Sequence, residues 1–102
     1  MKLKQVVEIS KCYSNPTRVE ILEWLKNPDE NFPPNETQIP NREGVCMSYI
    51  HEKSGLSQST ISTYLASMER CGLLTSTRLG KWSYFRRNEQ VIQEFSQFIN
   101  NK

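Results

Sequence analysis

The sequence has little of what catalysis or membrane residence demands. It holds one histidine, four glycines scattered singly, and no glycine-rich phosphate loop. No acid pair accompanies a nucleophile, so the chain reads as a non-enzyme with no cofactor implied. The opening MKLKQVVEIS lacks an apolar run of signal-peptide length, and nothing later approaches a membrane span. The expectation is a soluble cytoplasmic protein without a membrane partner. Paired cysteines are missing too: Cys12, Cys46 and Cys71 are odd in number and make no disulfide framework, and a reducing compartment would keep them as thiols. They either fill space as small hydrophobes or sense oxidants through a bridge, and spacing alone does not say which two approach each other.

At 102 residues the chain fits one domain, residues 1–102, with a small core that pairing with a second copy would enlarge. Its net charge of +2 is unevenly spread. Residues 53–87 hold Lys53, Arg70, Arg78, Lys81, Arg86 and Arg87 against Glu69 alone, which is +5, and the remainder sums to −3. A basic segment in a nearly neutral chain is the footprint of a phosphate-contacting surface.

The stretch Gly55–Gly72, GLSQSTISTYLASMERCG, organises the rest. Gly55 suits a tight turn, Ser57 is a good N-cap, and a helix should start at Gln58. Ile61, Leu65 and Met68 recur on one stripe, while Ser59, Ser62, Thr63, Ala66 and Arg70 fall elsewhere. Residues 57–68 carry no charge, whereas an ordinary surface helix would show Glu and Lys opposite its core stripe. Small hydroxyls and an amide suit base-pair edges, where Gln can bond adenine bidentately. Capping alone is the plainer account of the hydroxyls.

Before it, Leu3, Val6 and Val7, with Ser10, give a short amphipathic helix over residues 2–12. Asn15-Pro16 is an N-cap followed by proline at the first helical position; Val19, Ile21, Leu22, Trp24 and Leu25 make the helix that follows broadly apolar until Pro28 ends it. Residues 27–44, rich in Pro, Asn and acids, read as an insertion without regular structure. It is expected to be a mobile surface loop rather than a functional arm, with a short strand around Gln38 to Pro40 as an alternative. Val45–Ser54 is expected to form the first helix of a helix-turn-helix, with Val45, Ile50 and Tyr49 inward. After Gly72, the run LLTSTRLGKWSYFRR predicts a hairpin about Gly80 with Arg78 and Lys81 at its tip, either a wing touching DNA or plain edge-strand protection. Asn88 should cap a last helix, 89–100, whose stripe of Val91, Ile92, Phe95, Phe98 and Ile99 is wide. With Leu3, Val6 and Val7 it exceeds what so small a domain needs, which implies a homodimer interface.

The fold class is thus mainly α with a small β-hairpin: about five helices and a two-stranded wing. Asn15-Pro16-Thr17-Arg18, GLSQSTISTYLASMERCGLL and the wing RLGKWSYFRR resemble the ArsR/SmtB family of bacterial winged-helix repressors. The resemblance implies a homodimer that binds an inverted-repeat operator in double-stranded DNA and releases it on a signal. Ser57, Gln58, Ser59, Thr60, Ser62 and Thr63 then lie at the DNA, with Gln58, Ser59, Ser62 and Thr63 as base readers and Arg78 and Lys81 as wing contacts. Thr63 replaces a histidine common in the family, so the operator sequence does not carry over. The sensing half departs further. Where relatives carry Cys-x-Cys, this chain has Cys46-Met47-Ser48, too few thiolates for a soft metal. The last helix offers only Glu89 and Glu94, and the single His51 reads as a solvated helix residue, so no metal site is expected. A thiol-sensing variant of the repressor and a winged-helix protein-interaction module without DNA binding remain as alternatives.

Overall fold

The computed structural model describes residues 1–37 and 39–100. Helix α1 spans Leu3–Cys12 and buries Ile9 and Cys12, leaving Leu3 and Val7 in solvent. The Asn15 side chain accepts from the Arg18 N–H at 3.1 Å, with Pro16 at the first position of α2 (Pro16–Lys26). This is the N-cap and proline arrangement expected there, and it satisfies an otherwise free donor. Ile21, Leu22 and Leu25 carry α2 into the core. Pro28 forces Asn27 out of helical geometry, to φ −129° and ψ 73°, and the helix stops.

The segment read as a loose loop is instead built into the domain. Pro28 opens a four-residue helix, α3 (Pro28–Asn31), and a 3₁₀ turn follows at Asn41–Glu43. Phe32 is buried with its ring edge-on to Trp24, centroids 6.3 Å apart. Asn35, also buried, donates to the carbonyls of Gly44 at 2.8 Å and Ile39 at 2.9 Å and accepts from the Cys46 N–H at 3.1 Å. Asn41 donates to the carbonyl of Pro33 at 3.1 Å. Side-chain amides thus do here what a backbone ladder does elsewhere. Of the strand considered at Gln38–Pro40, Gln38 lies outside the described residues, and Ile39 and Pro40 belong to no strand.

A second correction concerns Val45. It does not begin a helix: Val45–Cys46 form β1, and helix α4 is Met47–Ser54. Strands β2 (Leu74–Leu79) and β3 (Trp82–Arg87) make the expected hairpin, but β1 adds to its edge, giving a three-stranded antiparallel sheet of order β1-β3-β2. Val45 opposes Phe85 and Cys46 opposes Tyr84. Both faces of β3 are consequently covered. Phe85 enters the core with Leu74, while Tyr84 is buried on the other face, its hydroxyl 3.0 Å from that of Thr37. Helix α5 (Gln58–Arg70) buries Ile61, Leu65 and Met68 against α1, α2 and α4, and α6 (Glu89–Asn100) starts where Asn88 Oδ1 accepts from the Val91 N–H at 3.3 Å. The fold is a winged helix-turn-helix with six α-helices among the described residues. None of these is long and apolar enough to cross a membrane.

Candidate nucleic-acid interface

Gly55 ends α4 in the left-handed region, at φ 70°, and nothing lies within 4 Å of where a Cβ would stand. Backbone conformation, not space, selects glycine at this turn. The Leu56 N–H donates to Ser54 Oγ at 3.1 Å, and the Ser57 hydroxyl accepts from the Thr60 N–H at 3.2 Å while donating to Thr60 Oγ1 at 2.8 Å. Ser57 and Thr60 are therefore occupied in holding the helix start. Thr63 donates its proton to the Ser59 carbonyl at 3.0 Å and keeps lone pairs outward. Gln58, Ser59, Ser62, Thr63 and Ala66 are all exposed: Ser59, Thr63 and Ala66 face away from the buried stripe, Ser62 lies to its side, and Gln58 is open because it stands at the helix start, one turn ahead of Ile61. Of the six helix residues singled out from sequence, four form this open neutral face and two form its cap.

The wing stands beside this helix, and its base is fixed to it: Ser76 donates to a Glu69 carboxylate oxygen at 2.7 Å. Gly80, at φ 61°, is the first central residue of a two-residue hairpin turn, the place where positive φ matches the strand twist. Arg78 and Lys81 are exposed at the tip. The guanidinium of Arg78 donates back to the Gly80 carbonyl at 3.1 Å, and the Lys81 ammonium sits 5.2 Å from the Trp82 ring centre. Leu79 and Trp82 oppose each other there, both more than two-fifths exposed. This apolar pair was legible in the alternation of the strand but not singled out.

Not every cation of the basic segment belongs to the footprint. Arg87 has only a tenth of its side chain exposed, pairs with Glu89 at 2.9 Å and donates to the Leu22 carbonyl, so it ties the sheet to α2 and α6. Lys53 lies 5.3 Å from the Trp24 ring centre, capping the aromatic pair described above. His51, expected to be solvated, is half-buried on α4. Among the described residues no three of His, Cys, Asp and Glu gather in a way that could hold a metal.

The residues assigned to a dimer surface divide in two. Leu3, Val7, Phe98 and Ile99 are exposed, Leu3 at 71% and Ile99 at 64%, while Val6, Val91, Ile92 and Phe95 are half-buried, the last three against the edge of the core. Helix α6 buries no residue fully. Met1 lines one hollow with Phe98, and Tyr13 lines another with Ile92, Phe95 and Ile99, so the residues flanking α1 border α6 across open hollows. Of the three cysteines, Cys12 and Cys71 meet, with sulfurs 3.6 Å apart; Cys46 is elsewhere, 3.2 Å from the Ser48 hydroxyl.

No family model matches the sequence. The chain is 41% identical over 96 residues to an uncharacterized HTH-type transcriptional regulator, YbzH, of Bacillus subtilis, covering 94% of this chain and 96% of that one. A putative arsenical resistance operon repressor of Halobacterium salinarum is 28% identical over 83 residues, which is 81% of this chain and 59% of the relative. Among solved structures, the homodimeric winged helix-turn-helix DNA-binding domain of a possible ArsR-family regulator from Mycobacterium bovis superposes with a TM-score of 0.67 at 24% identity, covering 94% of this chain and 76% of that one. The chain belongs to the ArsR-family winged helix-turn-helix transcriptional regulators.

Proposed function

We propose that the protein is a homodimeric repressor that seats α5 in the major groove of an inverted-repeat operator and lays its wing on the flanking backbone. The observation that carries this is the uncharged, exposed face of Gln58, Ser59, Ser62 and Thr63 behind a wholly buried Ile61-Leu65-Met68 stripe. A helix held so firmly from behind can press small hydrogen-bonding groups against base edges without bringing carboxylates near phosphate. Gln58 and Ser62 read bases, Ser59 and Thr63 offer acceptors, Ser57 and Thr60 hold the helix start at the backbone, and Arg78 and Lys81 contact phosphates. The apolar surface made by Leu3, Val6 and Val7 with Val91, Ile92, Phe95, Phe98 and Ile99 joins two copies, and the homodimeric Mycobacterium bovis domain supports that arrangement. Two copies place their α5 helices on half-sites about one helical turn apart, so the bound sequence is a palindrome. Occupancy of such a site blocks transcription.

Selection of bound duplexes from a random pool tests this. Enrichment of an inverted repeat with half-sites about 10–10.5 base pairs apart is expected. A single unrepeated half-site would remove the dimer, and absence of salt-dependent binding would leave the protein-interaction reading in its place.

A further inference from the structure

Beside the interface, an open groove of about 540 Å³ runs between α1, the start of α2 and the end of α5, with Cys12 and Cys71 at its floor. Its charge is lopsided: Lys2, Lys4, Lys11, Arg18 and Arg70 line it against Glu8 alone. Glu8 leans toward Lys11 at 3.9 Å. The Arg18 guanidinium stacks 4.8 Å from the Tyr64 ring centre, and its buried Nε has no hydrogen-bond partner. A half-buried guanidinium with no carboxylate paired to it among the described residues, set beside a cysteine, is a setting that favours a thiolate.

We propose that Cys12 and Cys71 form a peroxide-reactive dithiol, in which the Cys12 thiolate takes an oxygen from the oxidant and Cys71 then closes a disulfide to it. The inference rests on the DNA-binding reading above only for its effect on the operator. The geometry divides the roles. Cys71 has its sulfur 3.6 Å from that of Cys12 and 3.3 Å from the Met68 carbonyl oxygen, so its single proton can serve a Cys12 thiolate. That hydrogen bond, and after it the Arg18 charge and the Ser67 hydroxyl, hold the Cys12 thiol well below its ordinary value; burial and Glu8 oppose them. Cys71 is pushed the other way, first because its proton is engaged by Cys12 and then by burial. Lys11 on α1 and Arg70 on α5 add positive charge around the pair.

In the first step the Cys12 sulfur attacks one peroxide oxygen, a sulfur–oxygen bond forms and the oxygen–oxygen bond breaks, and the leaving hydroxide takes a proton to become water. Cys12 is then a neutral sulfenic acid. Its charge no longer holds the Cys71 proton, so Cys71 can ionise and attack the Cys12 sulfur. The sulfur–oxygen bond breaks, and the hydroxide leaves as water with the proton of Cys71. Two thiols and one peroxide give one disulfide and two waters.

The dimer surface does not block this groove. At 100° per residue, Leu3, Val6, Val7 and Ser10 share one side of α1 and Lys4, Glu8, Lys11 and Cys12 the other. A bridge shortens the sulfur separation from 3.6 Å to about 2.05 Å. Whatever part of that change side-chain rotation does not absorb moves α1 toward the end of α5, the helix that carries the exposed neutral face.

One stoichiometric dose of hydrogen peroxide, followed by alkylation and peptide mass mapping of the whole protein, tests the chemistry without DNA. A bridge between the Cys12 and Cys71 peptides with Cys46 alkylated is expected; any other pairing, or oxidation confined to Cys46, overturns the proposal. Cys71→Ser should strand Cys12 as a sulfenic acid that a dimedone probe captures, and Cys12→Ser should abolish both products. In the reduced protein, alkylation of Cys12 should rise with pH through about 6 rather than about 9. A midpoint near 9 would remove the thiolate. Oxidised wild type should bind the selected operator at least tenfold more weakly and recover on reduction. An unchanged affinity with the bridge formed would overturn the regulatory role while leaving both the dithiol and the DNA-binding reading intact.

Discussion

Truncating Asn35 to alanine is expected to unfold the protein's most underestimated segment. The side chain is buried and makes three hydrogen bonds, two as donor to the Gly44 and Ile39 carbonyls and one as acceptor from the Cys46 N–H. The bonds to Gly44 and Cys46 are themselves buried, so their partners would lose one bond each with no solvent at hand. Leaving a buried polar group unpaired costs roughly 1–3 kcal/mol, and the half-buried Ile39 carbonyl can turn to water. The total for Asn35→Ala is about 2–6 kcal/mol, a large part of the 5–15 kcal/mol that holds a typical domain. Urea titration followed by circular dichroism should show a lower midpoint with unchanged slope, and the thermal midpoint should fall by on the order of 10–30 °C. Asn35→Asp keeps the acceptor for Cys46 but sets a carboxylate against two carbonyl oxygens, so it should cost at least as much at neutral pH and less once the acid is protonated. A loss below about 0.5 kcal/mol for the alanine variant, the range of neutral surface changes, would refute the view that this amide organises residues 33–46.

Lys81→Ala should weaken binding to all DNA alike and flatten the plot of log affinity against log salt by about 0.9 per subunit, because a lost phosphate contact releases fewer counterions; an unaltered slope would take the wing tip off the backbone. Gln58→Ala should relax preference at one base pair in each half-site, by about 1–3 kcal/mol against the favoured base, and a uniform loss across an operator library would contradict a reading role. Ile99→Glu places a carboxylate at the most exposed position of the α6 stripe, so sedimentation should show the dimer shifted to monomer with helicity kept, whereas an unshifted dimer would move the interface elsewhere.

Much of this architecture was readable because it is encoded locally. Asn15 and Ser57 cap the helices they were assigned to cap, α5 starts at Gln58, and the Ile61, Leu65 and Met68 stripe is buried throughout. Gly80 turns the hairpin where alternation placed it. What escaped depends on pairing across long separations. Val45 carries no mark of strand over helix; it is recruited by Phe85, forty positions on. Ile9, outside the stripe noticed on α1, is the residue that anchors that helix. The short helix at Pro28 did leave a signal, since Asn27-Pro28-Asp29-Glu30 repeats the cap and proline order of Asn15-Pro16 and adds acids in the first turn. Proline-rich composition outweighed it. The candidate interface divides the same way: the neutral face of α5 follows from helical spacing, whereas the withdrawal of Arg87 from the footprint and the meeting of Cys12 with Cys71, fifty-nine positions apart, are visible only in three dimensions.

The segment from Pro33 to Gly44 also bears on how the wing is held. Tyr84 is clamped between the hydroxyl of Thr37 on one side and the backbone at Gly44 on the other, so the outer face of β3 rests on this segment. From below, Glu69 holds Ser76 and ties β2 to the end of α5. The base of the wing is thus held at two points, which sets its angle to α5 within the fold. Glu36 and Trp82 line one hollow, which brings a carboxylate to the wing's outer flank. For the DNA contact proposed above, that carboxylate would disfavour phosphate on this flank of the wing. In the proposed DNA complex, Glu36 would therefore favour docking on the flank of the wing away from this segment.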